Sequence, residues 1–253
     1  MDKFEHHNKT DQGHMKIMTI PSANAREFGR ILKMLNSAQA NSPIVIRNST
    51  IRQPIISDNF IVEIDLKNLI GDGINMTPLL LEGEIKEVLD LLSSGETMVT
   101  FDPDEGVYLF QNGYRSETLL AAEDNGQGIA EPLVFSAKDY LGAEVVIEDI
   151  ADINKFLLKS SCCGLLIYGN QLEQVMSFNK SAPYTFKKAA AGNLKYEKAE
   201  MCLLSFNFLR FSDNDSKIKL AANDEKGFWL ITEVEMTAKS TIKTYELLAE
   251  HNA

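Results

Sequence analysis

The chain has too little cysteine to hold itself together covalently. Only three cysteines occur among 253 residues, two of them adjacent at Cys162 and Cys163, so there is no disulfide framework and no second pair to complete a zinc site. Apolar runs such as Leu79-Leu80-Leu81 and Cys202-Leu203-Leu204 are far shorter than the about 20 residues a membrane helix needs. Histidine is confined to His6, His7, His14 and His251 near the two ends, which argues against a histidine-based catalytic triad. Gly71-Asp72-Gly73 and Gly126-Gln127-Gly128 lack the third glycine of a nucleotide-binding loop and read as turns. The acidic clusters Asp102-Pro103-Asp104-Glu105 and Asp213-Asn214-Asp215 lack full calcium-loop spacing and also read as turns. Around Phe4, the N-terminal segment carries Lys3, Glu5, His6, His7 and Asp11. It has no apolar signal core, and reads as a mobile leader of a cytoplasmic protein. These absences predict no metal, no cofactor and no membrane partner.

What is present is an ordinary globular composition, 44% hydrophobic and 24% charged, with a formal net charge of −11. That excess of acid argues against coating nucleic acid with the whole surface and leaves room for one segregated cationic face. The organising feature is a plan stated twice: a short strand leads into a basic amphipathic helix, and alternating strands follow. The first copy starts at Lys16–Ile20, enters a helix over Ala23–Ala38 and meets strands from Ile44. The second starts at Glu144–Glu148, enters a helix over Asp149–Ser160 and resumes strands at Leu165.

In the first helix Phe28, Ile31, Leu32 and Leu35 form an apolar stripe, while Arg26, Arg30 and Lys33 recur on another face. Ser22 or Asn24 is placed to cap its start. Strands are predicted at Ile44–Ile46, Ile51–Ile56 and Phe60–Leu66, joined as antiparallel hairpins. A second helix is predicted between Leu79 and Ser94; it exposes Glu84, Glu87 and Asp90 beside only Lys86. Strands Thr97–Phe101, Val107–Gln111 and Tyr114–Ala121 follow, the last two joined at Asn112-Gly113. Glu123–Pro132 is the best linker in the chain. In the second copy Lys155 and Lys159 share a helical face. A very short helix is expected within Met201–Phe211, before strands at Lys217–Ala222, Gly227–Met236 and Thr241–Leu248, with Trp229 in the core.

Two successive units of this order resemble the DNA polymerase sliding clamps, and most nearly the two-domain subunits of tailed-phage clamps. The local likeness is best at Leu204–Leu209, Ser216–Leu220 and Gly227–Ile231. The resemblance implies an α+β fold of two repeated clamp-like domains, each with antiparallel sheets and amphipathic helices on one face. It divides the chain into a leader 1–14, domain one 15–122, a connector 123–135 and domain two 136–253. It further implies a homotrimeric ring without enzymatic activity, whose helices surround duplex DNA independently of sequence and whose partners are a DNA polymerase and a clamp loader. Under this resemblance the DNA-facing residues are Arg26, Arg30, Lys33, Lys155, Lys159 and Arg210, and Leu133, Val134 and Phe135 at the connector receive partner peptides. The competing expectation is a β-rich phage or bacterial structural protein with duplicated domains and no DNA binding; a hydrolase with a carboxylate site has the least support.

Overall fold

The computed structural model describes residues 15–38, 43–81, 85–123, 129–140, 145–146, 162–168, 171–176, 180–181, 187–188, 202–203, 207–223, 227–237 and 240–247. The first half runs β1 (Met15–Ile20), α1 (Ser22–Ala38), β2 (Pro43–Ile44), β3 (Ile46–Arg47), β4 (Thr50–Ile55), β5 (Ser57–Asp65), the single turn α2 (Lys67–Ile70), β6 (Leu79–Leu80), α3 (Lys86–Ser94), β7 (Thr97–Asp102), β8 (Val107–Asn112) and β9 (Arg115–Ala121). The second half runs β10 (Val145–Val146), β11 (Cys162–Tyr168), β12 (Gln171–Met176), β13 (Lys180–Ser181), β14 (Lys187–Lys188), β15 (Cys202–Leu203), a 3₁₀ turn at Asn207–Phe211, β16 (Lys217–Asn223), β17 (Gly227–Glu235) and β18 (Thr241–Leu247).

These strands build an α+β fold from antiparallel sheets of six, eight and four strands, ordered β1-β7-β8-β9-β6-β2, β14-β10-β16-β17-β18-β5-β4-β3 and β13-β12-β11-β15. The repeat is visible in the pairing itself. The series β1-β7-β8-β9 of the first half reappears as β10-β16-β17-β18 in the second, and β3-β4-β5 reappears as β11-β12-β13. The eight-stranded sheet crosses from one half to the other where β18 lies antiparallel to β5, from Thr241 opposite Asp65 to Glu246 opposite Phe60.

Alternation decides which way each strand faces. Phe60, Val62 and Ile64 of β5 and Ile51 and Ile55 of β4 turn into a core shared with Phe28, Ile31, Leu32 and Leu35 of α1, all at most 1% exposed. Burying a side chain of this size contributes about 1.5–3 kcal/mol relative to exposure. The 3₁₀ turn sends Phe208 and Phe211 into the same core, where the rings of Phe60 and Phe211 lie 5.8 Å apart. The expected short helix of the second half is therefore a 3₁₀ turn that anchors one half to the other.

Three expectations are corrected. The helix anticipated from Leu79 begins only at Lys86, because Leu79 and Leu80 form β6, paired with Ala121 and Leu120 on one side and with Ile44 and Pro43 on the other. Backbone partners on both sides outweigh the helical periodicity there. The run Ile44-Val45-Ile46 is not one strand but two, since β2 joins the six-stranded sheet and β3 the eight-stranded one. The buried amide of Gln53 stabilises that break, accepting from the Val45 N–H at 2.8 Å and donating to the Pro43 carbonyl at 3.0 Å. Ser22 and Asn24 both lie inside α1 rather than capping it, Pro21 preceding the helix, and the Asn24 amide donates to the Asn68 and Leu69 carbonyls at 2.8 and 3.2 Å, tying α1 to α2. The helix anticipated over Asp149–Ser160, with Lys155 and Lys159, lies outside the described residues.

Candidate DNA-facing helix and connector surface

The geometry of α1 follows from its spacing. Ala25, Phe28, Gly29, Ile31, Leu32 and Leu35 are buried, and Arg26, Arg30 and Lys33 are all exposed, so the cationic and apolar faces separate as a period of 3.6 requires. Gly29 admits α3 closely, since a Cβ there would stand 3.4 Å from Leu92.

The three cations are not equivalent. The Arg30 guanidinium donates to the Asp213 carboxylate at 2.7 Å, with both side chains about half exposed (49% and 44%). That hydrogen bond, first, holds the Asp213 carboxyl below its usual value, against a smaller opposing effect of burial. Arg30 is thus locally neutralised, whereas Arg26 and Lys33 make no ion pair among the described residues. Arg210 reaches α1 as well: its guanidinium donates to the Ser37 carbonyl at 3.1 Å, satisfying an acceptor in the last turn of the helix. Arg30 and Arg210 therefore link α1 to the segment 207–213 from the other half.

A second surface lies on the opposite face of the eight-stranded sheet. Cross-strand pairing places Arg52, Glu63, Lys243, Glu233 and Lys217 in one row over β4, β5, β18, β17 and β16, alternating in sign. Arg52 meets Glu63 at 2.6 Å and Lys243 meets Glu233 at 3.4 Å. The row crosses the seam between the halves and marks this face as the wet one. Beside it sits an apolar patch of Ala221, Trp229, Ile231 and Tyr245, with Ile61 packed against it. Burial, first, and the charge of Glu63 push the Tyr245 phenol above its ordinary value.

The connector covers that patch. Its Ala130 N–H donates to the Arg52 carbonyl at 3.0 Å, Leu133 and Phe135 pack on the patch, and the ring of Phe135 lies 6.2 Å from that of Tyr140. A turn closed on the Asp139 carboxylate by the N–H and hydroxyl of Ser136 (2.7 and 2.8 Å), with the Ala222 N–H on the Asp139 carbonyl (2.8 Å), fastens the far end to β16. Of the three residues singled out by sequence, Leu133 and Phe135 face the patch and Val134 points to solvent at 68% exposure. None of them is in a strand. Of the patch residues beneath, Trp229 was expected only as a core residue, and Ala221, Ile231 and Tyr245 were not singled out. Their signal was present: Phe60-Ile61-Val62 and Trp229-Leu230-Ile231 are apolar at consecutive strand positions, so both faces need cover.

Among the described residues, no group of three His, Cys, Asp or Glu side chains is placed to hold a metal ion, and no described helix is long and apolar enough to cross a membrane.

No protein-family model matches the chain, and no curated protein matches it by sequence. Solved structures do match. The chain is similar to a structure titled as the C-terminal region of FEN-1 bound to A. fulgidus PCNA, with TM-score 0.60, 11% identity and coverage of 94% of this chain and 100% of that one. It is similar to proliferating cellular nuclear antigen from Entamoeba histolytica, with TM-score 0.63, 13% identity and coverage of 93% and 100%. It is also similar to the H. pylori beta clamp, with TM-score 0.60 and 14% identity over 94% of this chain and 64% of that one. The fold is that of the DNA sliding clamps. The repeated pairing described above is thus a clamp-type repeat, reached here with few residues in common.

Proposed function

We propose that this chain is a DNA polymerase processivity factor: a cytoplasmic, non-enzymatic sliding clamp whose copies join head to tail into a homotrimeric ring around duplex DNA. The observation that carries the reading is the edge-to-edge pairing of β18 with β5, which joins the two halves in one sheet. A repeat that closes on itself this way within a chain is continued between chains by the same operation, and a head-to-tail contact that closes gives a ring. The cationic face of α1 is then the inner surface. Arg26 and Lys33, together with Arg30, Lys155, Lys159 and Arg210, meet phosphates without reading bases, as sliding requires. The division at 15–122, 123–135 and 136–253 is part of the proposal, as is the kinship with tailed-phage clamps.

The connector surface receives partners. In the A. fulgidus structure it is the C-terminal region of FEN-1 that is bound to PCNA; here a linear segment of the polymerase or of the clamp loader docks where Leu133, Val134 and Phe135 bridge the patch. An extended chain over a seam offers backbone groups and an apolar trough together.

The test compares circular with linear DNA. After a loading reaction on nicked plasmid, the protein should co-elute with the circle in high salt and be lost when the plasmid is linearised. Equal loss from both forms, with no stimulation of the cognate polymerase on a long template, would identify the β-rich structural protein without DNA binding instead.

A further inference from the structure

Arg30 stands in the middle of the cationic face of α1, one helical turn from Arg26 and from Lys33. Among the described residues it is the one of the three that holds an acid, its guanidinium donating to Asp213 Oδ2 at 2.7 Å. The acid belongs to a built turn. Its other oxygen, Oδ1, accepts the Asn214 N–H at 2.9 Å, the Asp213 N–H donates to the Ser216 hydroxyl at 2.7 Å, and the Ser216 N–H returns to the Asp213 carbonyl at 3.1 Å. Ser216 is fully buried, and the 3₁₀ turn ahead of it is anchored in the core by Phe208 and Phe211. The carboxylate is therefore held by the backbone of 213–216, whereas the arginine is a long, half-exposed side chain on the outer face of a helix.

A fixed anion and a cation that can swing away make an exchangeable pair. Exposed pairs contribute little to folding, and the planar guanidinium that fits a carboxylate also fits a phosphate. We propose that Asp213 is a built-in competitor for DNA phosphate, which occupies Arg30 and so weakens the grip of α1 on the duplex. The inference rests on the reading of α1 as the DNA-facing helix. It deepens that reading by giving Asp213, from the other half of the chain, control over one of the helix's contacts.

The consequence is quantitative. Each phosphate neutralised by a free cation releases counterions and adds about 0.9 to the slope of log affinity against log salt. Arg30 adds little while Asp213 is present. If it stays on Asp213, it neutralises no phosphate. If it swings to a phosphate, Asp213 is left bare beside the DNA and draws a cation from solution, which offsets the one released. Removing the acid lets Arg30 count in full.

The test is a double-mutant cycle on binding of the full chain to a linear duplex, read by fluorescence anisotropy over a fourfold salt range. Asp213→Asn should steepen the slope by about 0.9, so that affinity changes about 3.5-fold more across that range. Arg30→Gln should flatten the slope by about 0.9 in the Asp213→Asn background and by less than half as much with Asp213 in place. Asp213→Ser, which keeps an acceptor for the turn without the charge, should match Asp213→Asn and separates loss of charge from loss of the turn. Arg26→Gln with Lys33→Gln is the control for the parent reading and should flatten the slope in both backgrounds. A control without effect means that α1 does not face DNA, and the functional reading falls together with this one. If the control works but Asp213→Asn and Asp213→Ser leave the slope unchanged, the pair is only a tie between the halves and the competitor role is overturned. Equal flattening by Arg30→Gln with and without Asp213 overturns it as well.

Discussion

β18 and β9 close equivalent four-strand series, and among the described residues only β18 is paired along most of its far side. β18 lies against β5 from Thr241 to Glu246, in a seam strapped on its wet face by the connector and crossed by a row of alternating charges. Over 115–119 the far side of β9 has no strand partner among the described residues, and a groove lined in part by Glu87 and Glu117 runs beside it. The contrast separates a seam completed within the chain from an edge left open. On the proposed head-to-tail reading, the pairing inside the chain is the pattern for the pairing between copies, because both edges follow the same plan. On that reading the joint within the chain, made by β18 and β5, is more sensitive to backbone and core substitutions than the joint at β9.

The largest effect is expected at the closed seam. Thr244 is fully buried, flanked by Thr232 and Val62 on the neighbouring strands, and its hydroxyl lies 2.6 Å from that of Thr232. Thr244→Pro removes a ladder donor from a central strand and should cost about 3 kcal/mol or more in urea unfolding. An equal loss from a proline on the open edge of β9 would remove the distinction between the joints. Next comes the strap. Trp229 is 6% exposed beneath the connector, so Trp229→Ala should cost about 3 kcal/mol and make the connector the first site cut in limited proteolysis. Unchanged cleavage would mean that the connector is held by its hydrogen bonds to Arg52 and Ala222 alone.

Smaller effects belong to the exposed charges of α1. Arg26→Glu with Lys33→Glu should change stability by no more than about 0.5 kcal/mol. It should nonetheless flatten the dependence of log affinity for linear DNA on log salt by about 0.9 for each phosphate that is no longer neutralised. The smallest effect is expected at the Arg30–Asp213 pair. Both partners are half exposed, so Asp213→Asn should cost only about 0.2–1 kcal/mol at neutral pH. The folded pKa of Asp213 is depressed, so this contribution is present above the ordinary carboxylate value of about 3.9 and disappears as pH falls through the folded value. Wild type and Asp213→Asn should then unfold alike in acid. A difference that persists there would show that the asparagine acts through something other than the missing charge.

Much of this was legible in the residues. The 3.6-residue spacing of Phe28, Ile31, Leu32 and Leu35 set the buried face of α1, and the cations fell where the remaining face is exposed. The hairpin at 107–121 was readable from its glycine, but the two-residue turn is Gly113-Tyr114, with 60° at Gly113, while Asn112 pairs with Arg115 and the last strand begins one residue later than expected. What escaped was non-local. Whether Leu79 and Leu80 are strand or helix depends on β9 and β2, whose positions no local pattern announces. Arg30 read as a free cation because its partner Asp213 lies 183 residues away in sequence, and Arg210 read the same way although its guanidinium supports the end of α1. Periodicity identifies a face, while pairing decides which charges on that face remain available.

The most direct measurement is a single-particle image of the full chain at low salt. The account predicts closed rings of three copies, each contributing two similar lobes, with a central hole lined by helices. Monomers at every concentration, or dimers related by a two-fold axis that bury the same edge of both copies, would contradict it.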